Sequence, residues 1–526
     1  MTVTNSFNRT SKERDAVVSA GPMLAADGTP LKKSLARALR VQKMRALLLI
    51  APLLVFVLIS FIAPIVDMLF RSVENQIVSD ILPETVMALE TWDGSGDQPP
   101  AEMAFEALYL DLFFATEKKL HTRLGSRLNY EITGAASLFR KTGRRIGRFG
   151  TDVLTSQIVA QSPELANVAA WQELMGDTET RSALPLTART WDRWTEYLIQ
   201  EGDDVATTPL EDIHFAALYF DLRDGVFATN ARLPALDITN YETVRFRDEF
   251  ASADDGWLDV EFWRTVQTYS PRYTPGYFLN AVDLKKDYDG IQPRPESQQI
   301  YVTLFGRTLS MSLVITLACL LLGYPVSWLL ANLPARTANL LLILVLLPFW
   351  TSLLVRTSAW KVMLQQQGVV NDTLVWLGFV DDASRLIMMN NQTGTIIAMT
   401  HILLPFMILP LYSVMKTIPP SYVRAAKSLG ATNWTAFWRV YFPQSVPGIG
   451  AGSILVFILA IGYYITPEIV GGTSGIFISN RIAYHISSSL NWGLAAALGT
   501  ILLVAVLVLY WVYDRVVGID NVKLGG

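Results

Sequence analysis

The stretch TGTIIAMTHILLPFMILPLYSVM, at residues 393–415, decides the fold because it contains no Asp, Glu, Lys or Arg. A helix needs about 20 mostly apolar residues to cross a bilayer. Five more charge-free stretches qualify, at about 46–66, 308–331, 337–355, 446–467 and 493–513. Prolines inside these stretches are tolerated in bundled membrane helices, where neighbouring groups satisfy the freed backbone. The sequence predicts six transmembrane helices rather than one large buried helical core.

The composition excludes several classes of protein. Of the 526 residues, 51% are hydrophobic and 17% are charged, which is too apolar for an ordinary soluble enzyme. The single cysteine, Cys319, excludes a disulfide framework and any cysteine-based metal cluster. The four histidines show no metal-ligand spacing: His121, His214, His401 and His485. We therefore expect neither a metal site nor a cofactor.

Basic residues near the spans predict the orientation, because cytoplasmic loops are rich in Lys and Arg. Nine basic residues precede the first span, against three acidic ones. The loop 416–445 carries four basic residues and no acidic one, and the turn 332–336 carries Arg336. All three lie on one side when the spans alternate, so both termini are predicted to be cytoplasmic. The first span follows a long basic segment and lacks a small-residue cleavage site, which is typical of an uncleaved anchor.

These spans divide the chain into five parts. We predict a basic cytoplasmic tail at 1–45, a first transmembrane helix at 46–70 and an inserted external domain at 71–300. Helices two to six fill 301–514, and residues 515–526 form a second cytoplasmic tail. The predicted fold class is an all-α membrane protein with a large, mostly helical external domain between helices 1 and 2.

The predicted external domain is acidic. Residues 71–300 hold 37 acidic and 22 basic residues, a net charge of −15. Their apolar periodicity is largely helical. The strings ALYLDL at 107–112 and ALYFDL at 217–222 nearly match. Six residues are few, so coincidence is favoured over an internal duplication.

An aromatic cluster precedes the return to the membrane, and two interpretations of it stay open. Aromatic side chains favour the headgroup zone of a bilayer, so this stretch can rest there. It can equally form the core of the external domain. The five residues are Trp257, Trp263, Tyr269, Tyr273 and Tyr277.

The loop between the fourth and fifth spans reads as two short helices. Pro419-Pro420-Ser421 is a good helix start, with the serine as cap. Tyr422–Leu429 is the first predicted helix, and Gly430 can close it in a left-handed conformation. Asn433 can cap a second helix that stops at Pro443. The loop therefore offers a rigid, capped turn on the cytoplasmic side.

One face of the first predicted helix is suited to docking. Its charge-poor side combines two small residues, which allow close approach to the backbone, with two larger apolar ones. These residues are Tyr422, Ala425, Ala426 and Leu429.

This loop resembles the EAA loop, the permease signature of ABC importers. The strings RAAKSLG at 424–430 and VYFP at 440–443 keep the spacing of the family motif. Arg424 stands where the family has glutamate, which reverses a charge. In the family, the loop is the coupling helix that sits in a cleft of the ATPase subunit. The resemblance therefore implies an ATPase-coupling role for Tyr422, Arg424, Ala425, Ala426, Leu429, Gly430 and Pro443.

The resemblance covers the first span and the chain from about residue 300 onward. The segments PFWTS at 348–352, VRT at 355–357, ITPE at 465–468 and GG at 471–472 are similar to the spermidine/putrescine branch of these permeases. The resemblance implies a bacterial inner-membrane subunit that works with ATP-binding cassette ATPases, a second permease subunit and an extracytoplasmic solute-binding protein. No G-x-x-x-x-G-K-[ST] motif is present, so ATP must be hydrolysed by another subunit.

Charged residues at the membrane borders are the first candidates for a solute pathway, because burying a charge in a membrane is expensive. These residues are Asp67, Arg307, Arg356 and Glu468. For a polyamine we favour Asp67 and Glu468 for charge, and Trp360, Tyr463 and Tyr464 for cation–π contact. Arg356 would repel a polyamine, so we expect it to pair with an acidic group or to face headgroups. The alternative is that all these groups only mark the ends of spans.

The leading functional prediction is a permease subunit of a polyamine importer. A close alternative is the same machine for another small solute, such as an amino-acid derivative, an opine or a metal complex. A membrane sensor with an external ligand-binding domain is a different class, but the cytoplasmic parts offer no room for a signalling domain. No catalytic constellation is visible, so the chain is predicted not to be an enzyme. The bilayer is an expected partner and nucleic acid is not.

Overall fold

The computed structural model describes residues 31–225 and 236–517. The predicted tails therefore lie largely outside the described residues, at 1–30 and 518–526. The chain divides into two compact units, Met1–Met68 and Leu69–Gly526, and each is described by itself.

The first unit contributes most of a long membrane helix. Helix α1 (Leu31–Val57) passes through a π-helical turn (Leu58–Ile62) into α2 (Ala63–Arg71). The apolar side chains face outward, as Leu49 does with 82% of its surface exposed. Such a surface is stable only in a hydrocarbon environment. The helix is long and apolar enough to cross a membrane over Gln42–Arg71, slightly beyond the predicted 46–66.

The insertion is built almost entirely of helices, as its periodicity predicts. One two-stranded antiparallel hairpin closes it, with Leu284 opposite Pro293. The elements are α3 (Ile77–Ile81), α4 (Pro83–Leu89), α5 (Glu102–Glu117), α6 (His121–Leu128), α7 (Ala135–Gly143), α8 (Asp152–Gln161), α9 (Val168–Gly176), α10 (Thr178–Ala183), α11 (Pro185–Glu201), α12 (Asp212–Arg223), α13 (Phe246–Ala253), α14 (Val260–Thr268), α15 (Gly276–Ala281), β1 (Leu284–Asp287) and β2 (Gly290–Pro293). Short 3-10 turns occur at Ile146–Arg148, Pro163–Ala166, Asp255–Leu258 and Glu296–Gln298.

Three residues of the aromatic cluster, Trp257, Trp263 and Tyr269, lie in the core of this insertion. Trp257 and Trp263 are fully buried, Tyr269 is 1% exposed and Tyr277 is 5% exposed. Tyr273 alone stays on the surface, at 63% exposure. Trp257 donates to Thr142 Oγ1 at 2.7 Å, so its polar edge is satisfied as well. The membrane-surface interpretation is wrong for Trp257, Trp263 and Tyr269. Tyr277 belongs to a separate apolar core that includes Leu494 and Leu498 of the membrane part, so its place relative to the headgroup zone stays a prediction.

The two similar strings occupy equivalent places, and the interpretation of coincidence is wrong. Asp111 on α5 accepts hydrogen bonds from the backbone N–H and the hydroxyl of Thr85, both at 2.8 Å. Asp221 on α12 accepts the same pair from Thr187, at 2.7 and 2.6 Å. Each threonine lies in a Leu-Pro-x-Thr sequence that opens a helix, α4 or α11.

A second set of matching contacts extends the duplication. Trp171 on α9 and Trp263 on α14 each follow a side-chain helix cap by four residues. Each indole N–H donates at 2.8 Å to the carbonyl six residues earlier. Trp171 contacts Phe215 edge-to-face, and Trp263 contacts Phe105 in the same way. Those two phenylalanines occupy equivalent places, two residues before the matching ALYxDL strings.

The two halves, residues 83–176 and 185–268, are intertwined. Helix α8 of the first half packs against α12 of the second, and α13 of the second packs against α5 of the first. Each half therefore completes the core of the other. The insertion has one shared core, and its matching contacts indicate an internal duplication.

The remaining helices form the membrane core. They are α16 (Tyr301–Asn332), α17 (Ala335–Leu346), α18 (Leu353–Met363), α19 (Val369–Trp376), α20 (Gln392–Thr417), α21 (Pro420–Ser428), α22 (Asn433–Ala436), α23 (Phe442–Gly462), α24 (Ile465–Val470), α25 (Gly472–Gly475), α26 (Ile478–Ser487) and α27 (Trp492–Val517). Short 3-10 turns occur at Leu347–Trp350 and Asp382–Ser384, and a π-helical turn at Phe437–Tyr441.

Three long helices, α16, α20 and α23, pack against one another at the centre of this core. Gly452 on α23 allows the closest approach, because a Cβ atom there would lie 2.7 Å from the sulfur of Met407. This glycine serves packing, which is the usual role of small residues between membrane helices.

Five helices of the described chain are long and apolar enough to span a membrane, and a sixth candidate is broken. The third predicted span, 337–355, bends by 93° between Ala335–Trp350 and Leu353–Met363. The fifth predicted span, 446–467, ends early at Gly462, because Tyr463 is extended. The protein is an all-α membrane protein, as predicted.

Candidate functional site

The cytoplasmic loop predicted to dock an ATPase folds as a helix and a tight turn. Helix α21 begins at Pro420, whose fixed φ suits the first turn. The residue at its cap position is Pro419, which makes no side-chain cap, so the prediction of Ser421 as the cap is wrong. Gly430 has φ +90° and closes the helix in the left-handed conformation, as expected.

The second half of the loop differs from the prediction. Thr432, not Asn433, caps the next helix, and its hydroxyl accepts from the backbone N–H of Thr435 at 3.2 Å. After α22 the chain makes the π-helical turn Phe437–Tyr441 and continues directly into α23. Pro443 therefore lies inside the continuous helix Asn433–Gly462, directly after the π-helical turn, and does not end a helix.

The outer face of α21 is uncovered. Leu429 is 89% exposed and Tyr422 is 52% exposed, while Arg424 and Ala425 also lie on the surface. Val423, on the other side, packs against the membrane core. An apolar side chain as exposed as Leu429 at the tip of a rigid turn is typical of an interaction surface.

The second group of candidates lies where α18, α20 and α24 meet. Helix α24 packs against both other helices, and the hydroxyls of Thr357 and Thr466 lie 3.2 Å apart across the α18–α24 contact. Trp360 on α18 donates from Nε1 to Nδ1 of His401 on α20 at 3.0 Å. Tyr463 and Tyr464 occupy the extended joint between α23 and α24.

Glu468 lies on α24 and is exposed, with one carboxylate oxygen held in place. Asn480 on α26 donates from Nδ2 to Glu468 Oε2 at 2.6 Å and to the carbonyl of Tyr464 at 2.9 Å. The same amide therefore orients the acidic and the aromatic candidate. Sequence reasoning missed Asn480, because nothing in a single sequence pairs residues on α24 and α26.

His401 was also missed as a site residue, although the sequence carries a signal for it. It is an ionisable side chain inside the apolar stretch 393–415, and such residues face the interior of a helix bundle. Its hydrogen bond to Trp360 fixes the orientation of both rings.

Arg356 was expected either to pair with an acidic group or to face headgroups. Its guanidinium lies over the ring of Phe349, 5.9 Å from the centroid, and Nε has no hydrogen-bond partner among the described residues. Within that part of the chain it forms no ion pair, so the first alternative is wrong and the second stays a prediction. Arg307, another border charge, donates to the carbonyl of Thr473 at 2.9 Å.

Asp67 lies on α2 in the first unit, whereas Trp360, Tyr463, Tyr464 and Glu468 belong to the second. Among the described residues, no group of three His, Cys, Asp or Glu side chains could hold a metal ion.

The chain is similar in sequence to known transport proteins. The sequence profile of the family described as binding-protein-dependent transport system inner membrane component matches residues 323–517, entirely after the insertion. The spermidine/putrescine transport system permease protein PotB of Escherichia coli K12 is 37% identical over 219 residues, which cover 41% of this chain and 79% of PotB.

Two further relatives have the same character. PotB of Haemophilus influenzae is 36% identical over 225 residues, covering 43% of this chain and 78% of that protein. The inner membrane ABC transporter permease protein YdcU of Escherichia coli K12 is 32% identical over 222 residues, covering 40% and 70%. Among solved structures, a bacterial alginate ABC transporter in complex with an alginate-bound periplasmic protein is similar, with a TM-score of 0.35 and 19% identity over 43% of this chain and 81% of that one.

The relatives are transport subunits of the inner membrane and not enzymes. Six apolar membrane-length stretches, one of them broken, and the loop after α20 agree with that role. The chain belongs to the inner membrane component family of binding-protein-dependent transport systems, and it is a multi-pass permease component of an ABC importer.

Proposed function

We propose that this permease imports a polyamine or a closely similar organic cation. The observation that carries the proposal is the 37% identity to a permease named for spermidine and putrescine transport. Four candidate residues support it, because a carboxylate and aromatic rings are the groups that suit an ammonium group. Glu468 supplies the charge, and Trp360, Tyr463 and Tyr464 supply the rings.

Coupling to ATP hydrolysis is assigned to α21. Its exposed face, with Leu429 at the tip, would enter a cleft of an ATP-binding cassette ATPase subunit. Arg424 would then require an acidic residue on that subunit, because it reverses the charge of the family motif. The assembly would also contain a second permease subunit and an extracytoplasmic solute-binding protein. We propose that both termini and α21 lie on the cytoplasmic side, as the basic loops predict.

The insertion, residues 71–300, would then lie outside the cytoplasm. Its net charge of −15 favours the approach of a cationic solute or a basic face of the solute-binding protein. We assign it the docking of that binding protein. A deletion of 80–290 that still folds and transports normally would contradict this assignment.

The solute assignment is tested by uptake into proteoliposomes that contain the complete transporter. Glu468→Gln keeps the size of the side chain and its contact with Asn480 but removes the charge. We expect at least a tenfold loss of spermidine uptake at unchanged assembly. Glu296→Gln, another exposed carboxylate in the second unit, is the matched control and should transport normally. Unchanged uptake in Glu468→Gln would remove this residue from the pathway.

The coupling assignment is tested by co-purification. Leu429→Glu places a charge at the tip of α21 and should abolish recovery of the ATPase subunit with the permease. Ile199→Glu, on an equally open surface of the insertion at 70% exposure, should leave it unchanged. Full ATPase recovery with Leu429→Glu would show that α21 does not dock it.

Arg356 favours a second candidate solute. A guanidinium without an acidic partner in the described chain, one helical turn before Trp360, suits a carboxylate on the solute. An amino-acid derivative or an opine carries both the amine and the carboxylate. Competition of such a compound against spermidine, in the wild type and in Arg356→Gln, separates the two candidates. Only the carboxylate-bearing solute should lose affinity in the variant.

A further inference from the structure

A cleft of about 640 Å³ opens between the insertion and the start of the last membrane helix. One wall is formed by α3 and α6, and the other by the turn at residues 488–493, which leads into α27. Tyr277 closes the cleft at one end, and a Cβ atom on Gly493 would collide with its ring. The contact between Tyr277 and Gly493 therefore fixes one end of the cleft.

Two buried side chains in this cleft have hydrogen-bond donors without a partner. Arg127 uses Nε for the hydroxyl of Tyr277 at 3.0 Å and Nη1 for Glu131 at 2.8 Å, while Nη2 is unpaired among the described residues. Asn491 Oδ1 accepts from the N–H of Leu494, and its Nδ2 is also unpaired among the described residues. Each residue is only 7% exposed. A buried donor without an acceptor is expensive, so both point to a ligand that accepts hydrogen bonds.

The charges favour an anionic group. Glu131 is shared between Arg127 and Arg294, each at 2.8 Å, so neither guanidinium has a carboxylate of its own. Arg123, also on the wall, adds a further cation at the surface. The first turn of α27 faces the cleft through Trp492 and Gly493, and its N–H groups and dipole favour an anion as well.

The rim of the cleft carries two acidic groups. Glu74 accepts a hydrogen bond from Nε2 of Gln76, and Asp80 is exposed at the edge of the cleft. With Arg71, the lining holds three basic and two acidic side chains. A zwitterionic ligand satisfies both sets, with its phosphate on the floor and its ammonium at the rim.

The position of the cleft indicates which molecule supplies the zwitterionic group. Helix α27 is one of the membrane-length helices and begins at Trp492, which is 48% exposed. Tryptophan favours the headgroup layer, so the cleft lies at the level where α27 leaves the bilayer. Under the proposed orientation this is the outer surface of the inner membrane.

We propose that this cleft binds a phosphate–ammonium headgroup, supplied by a phosphatidylethanolamine molecule of the outer leaflet. Arg127, Arg123 and Asn491 bind the phosphate, and Asp80 and Glu74 bind the ammonium. The lipid would fill the joint between the insertion and α27 and hold the two together. This inference does not depend on the identity of the transported solute.

The test counts lipids on the complete detergent-purified transporter by native mass spectrometry. After delipidation, phosphatidylethanolamine or phosphate-free diacylglycerol is added back. Asn491→Asp keeps the acceptor that caps α27 but replaces the unpaired donor with a negative oxygen. Arg123→Gln removes an exposed charge that folding does not need. We expect at least a tenfold weaker affinity for phosphatidylethanolamine in each variant.

Arg148→Gln, an exposed arginine outside the cleft, is the matched control and should bind within twofold of the wild type. Soluble phosphoethanolamine provides a second arm. Displacement of the lipid at millimolar concentration would assign the site to a free phosphate–ammonium compound, and failure to displace it would assign the site to the lipid. Equal lipid binding by the wild type and both variants, or equal binding of diacylglycerol, would overturn the proposal.

Discussion

Residues 83–176 and 185–268 are two copies of one helical unit, and the comparison between them separates what holds the insertion together from what it does. Both copies keep the threonine-to-aspartate hydrogen bonds and the tryptophan–phenylalanine contact. They differ between the second and third matching helices. The first copy has α6 and α7 in the segment 118–151, whereas the described residues of 224–245 form no helix.

Helix α15, which lies outside both copies, makes the main packing contact between the insertion and α27. The added helices support this attachment. Arg127 on α6 binds Tyr277 on α15, and Tyr130, just after α6, contacts His485 on α26 edge-to-face at 5.9 Å. The shared features thus stabilise the fold, and the helices that the structure describes in the first copy alone add to the attachment and line the proposed lipid site.

The largest expected effect tests whether the two copies are energetically equivalent. Trp171→Ala and Trp263→Ala each empty a fully buried indole site and break a hydrogen bond, so each should cost about 3–5 kcal/mol of unfolding free energy. Chemical denaturation of the solubilised chain measures this. Trp434→Ala, 73% exposed in the cytoplasmic loop, is the control and should change little. A large loss in only one of the two variants would mean that the duplication does not extend to energetics.

The next effect tests a residue that only the second copy has. His214, in a cage of three tryptophans, replaces the alanine found at position 104, and burial lowers the pKa of its ring to about 4. An unfolded histidine has a pKa near 6.5. The neutral ring therefore contributes its full stabilisation above about pH 6.5. About 3 kcal/mol of unfolding free energy is lost as the pH falls towards 4.

His214→Gln keeps a side chain that can bond to the N–H of Glu211 and should remove this acid sensitivity. Thermal unfolding between pH 4 and 7 measures the slope. His121→Gln, on α6, is the control and should keep the slope of the wild type. An unchanged slope in His214→Gln would contradict the assignment.

A slightly smaller effect of opposite sign comes from the matching aspartates. Burial raises the pKa of Asp111 to about 6, although Arg193 and Thr85 offset part of the shift, and burial also raises the pKa of Asp221. The folded value exceeds the unfolded value of about 3.9, so this contribution is complete below pH 4. About 3 kcal/mol of unfolding free energy is lost as the pH rises through 6.

Asp111→Asn should flatten stability between pH 4 and 8, and Asp221→Asn should flatten it less. Asp203→Asn, exposed on the same domain, should keep the slope of the wild type. Equal slopes in the wild type and Asp111→Asn would show that this carboxylate stays ionised in the folded state.

The smallest effect distinguishes the two helix caps. Asn167 accepts from the N–H of Ala169 at 3.0 Å, and Asp259 accepts from that of Glu261 at 2.9 Å. Replacing either by alanine should cost about 1 kcal/mol. Only the charged cap also interacts with the helix dipole, so only Asp259→Ala should become less costly in high salt. The same salt dependence for Asn167→Ala would contradict this distinction.

The sequence predicted much of the candidate site, but it did not predict the contacts between its residues. Gly430 was predicted to close α21, because the left-handed backbone conformation that ends a helix favours glycine. The cap at Thr432 was not predicted, because Asn433 is an equally good cap residue. The continuation of α22 into α23 was not predicted, because a proline usually ends a helix, whereas here it follows a π-helical turn. The hydrogen bond of Asn480 to Glu468 was not predicted, because it joins two separate helices, α24 and α26.

The sequence by itself determined the class of the protein, because charge-free stretches of about 20 residues have one stable environment, the bilayer. It also determined helix α21 and its closure by Gly430, because local propensities decide such a short segment. Only the tertiary structure decided that six similar residues are part of a duplication. The shared contacts join Thr85 to Asp111 and Thr187 to Asp221, across 26 and 34 residues, and local sequence patterns do not report pairings at that separation. The same holds for the cleft beside α27, whose walls come from both ends of the chain.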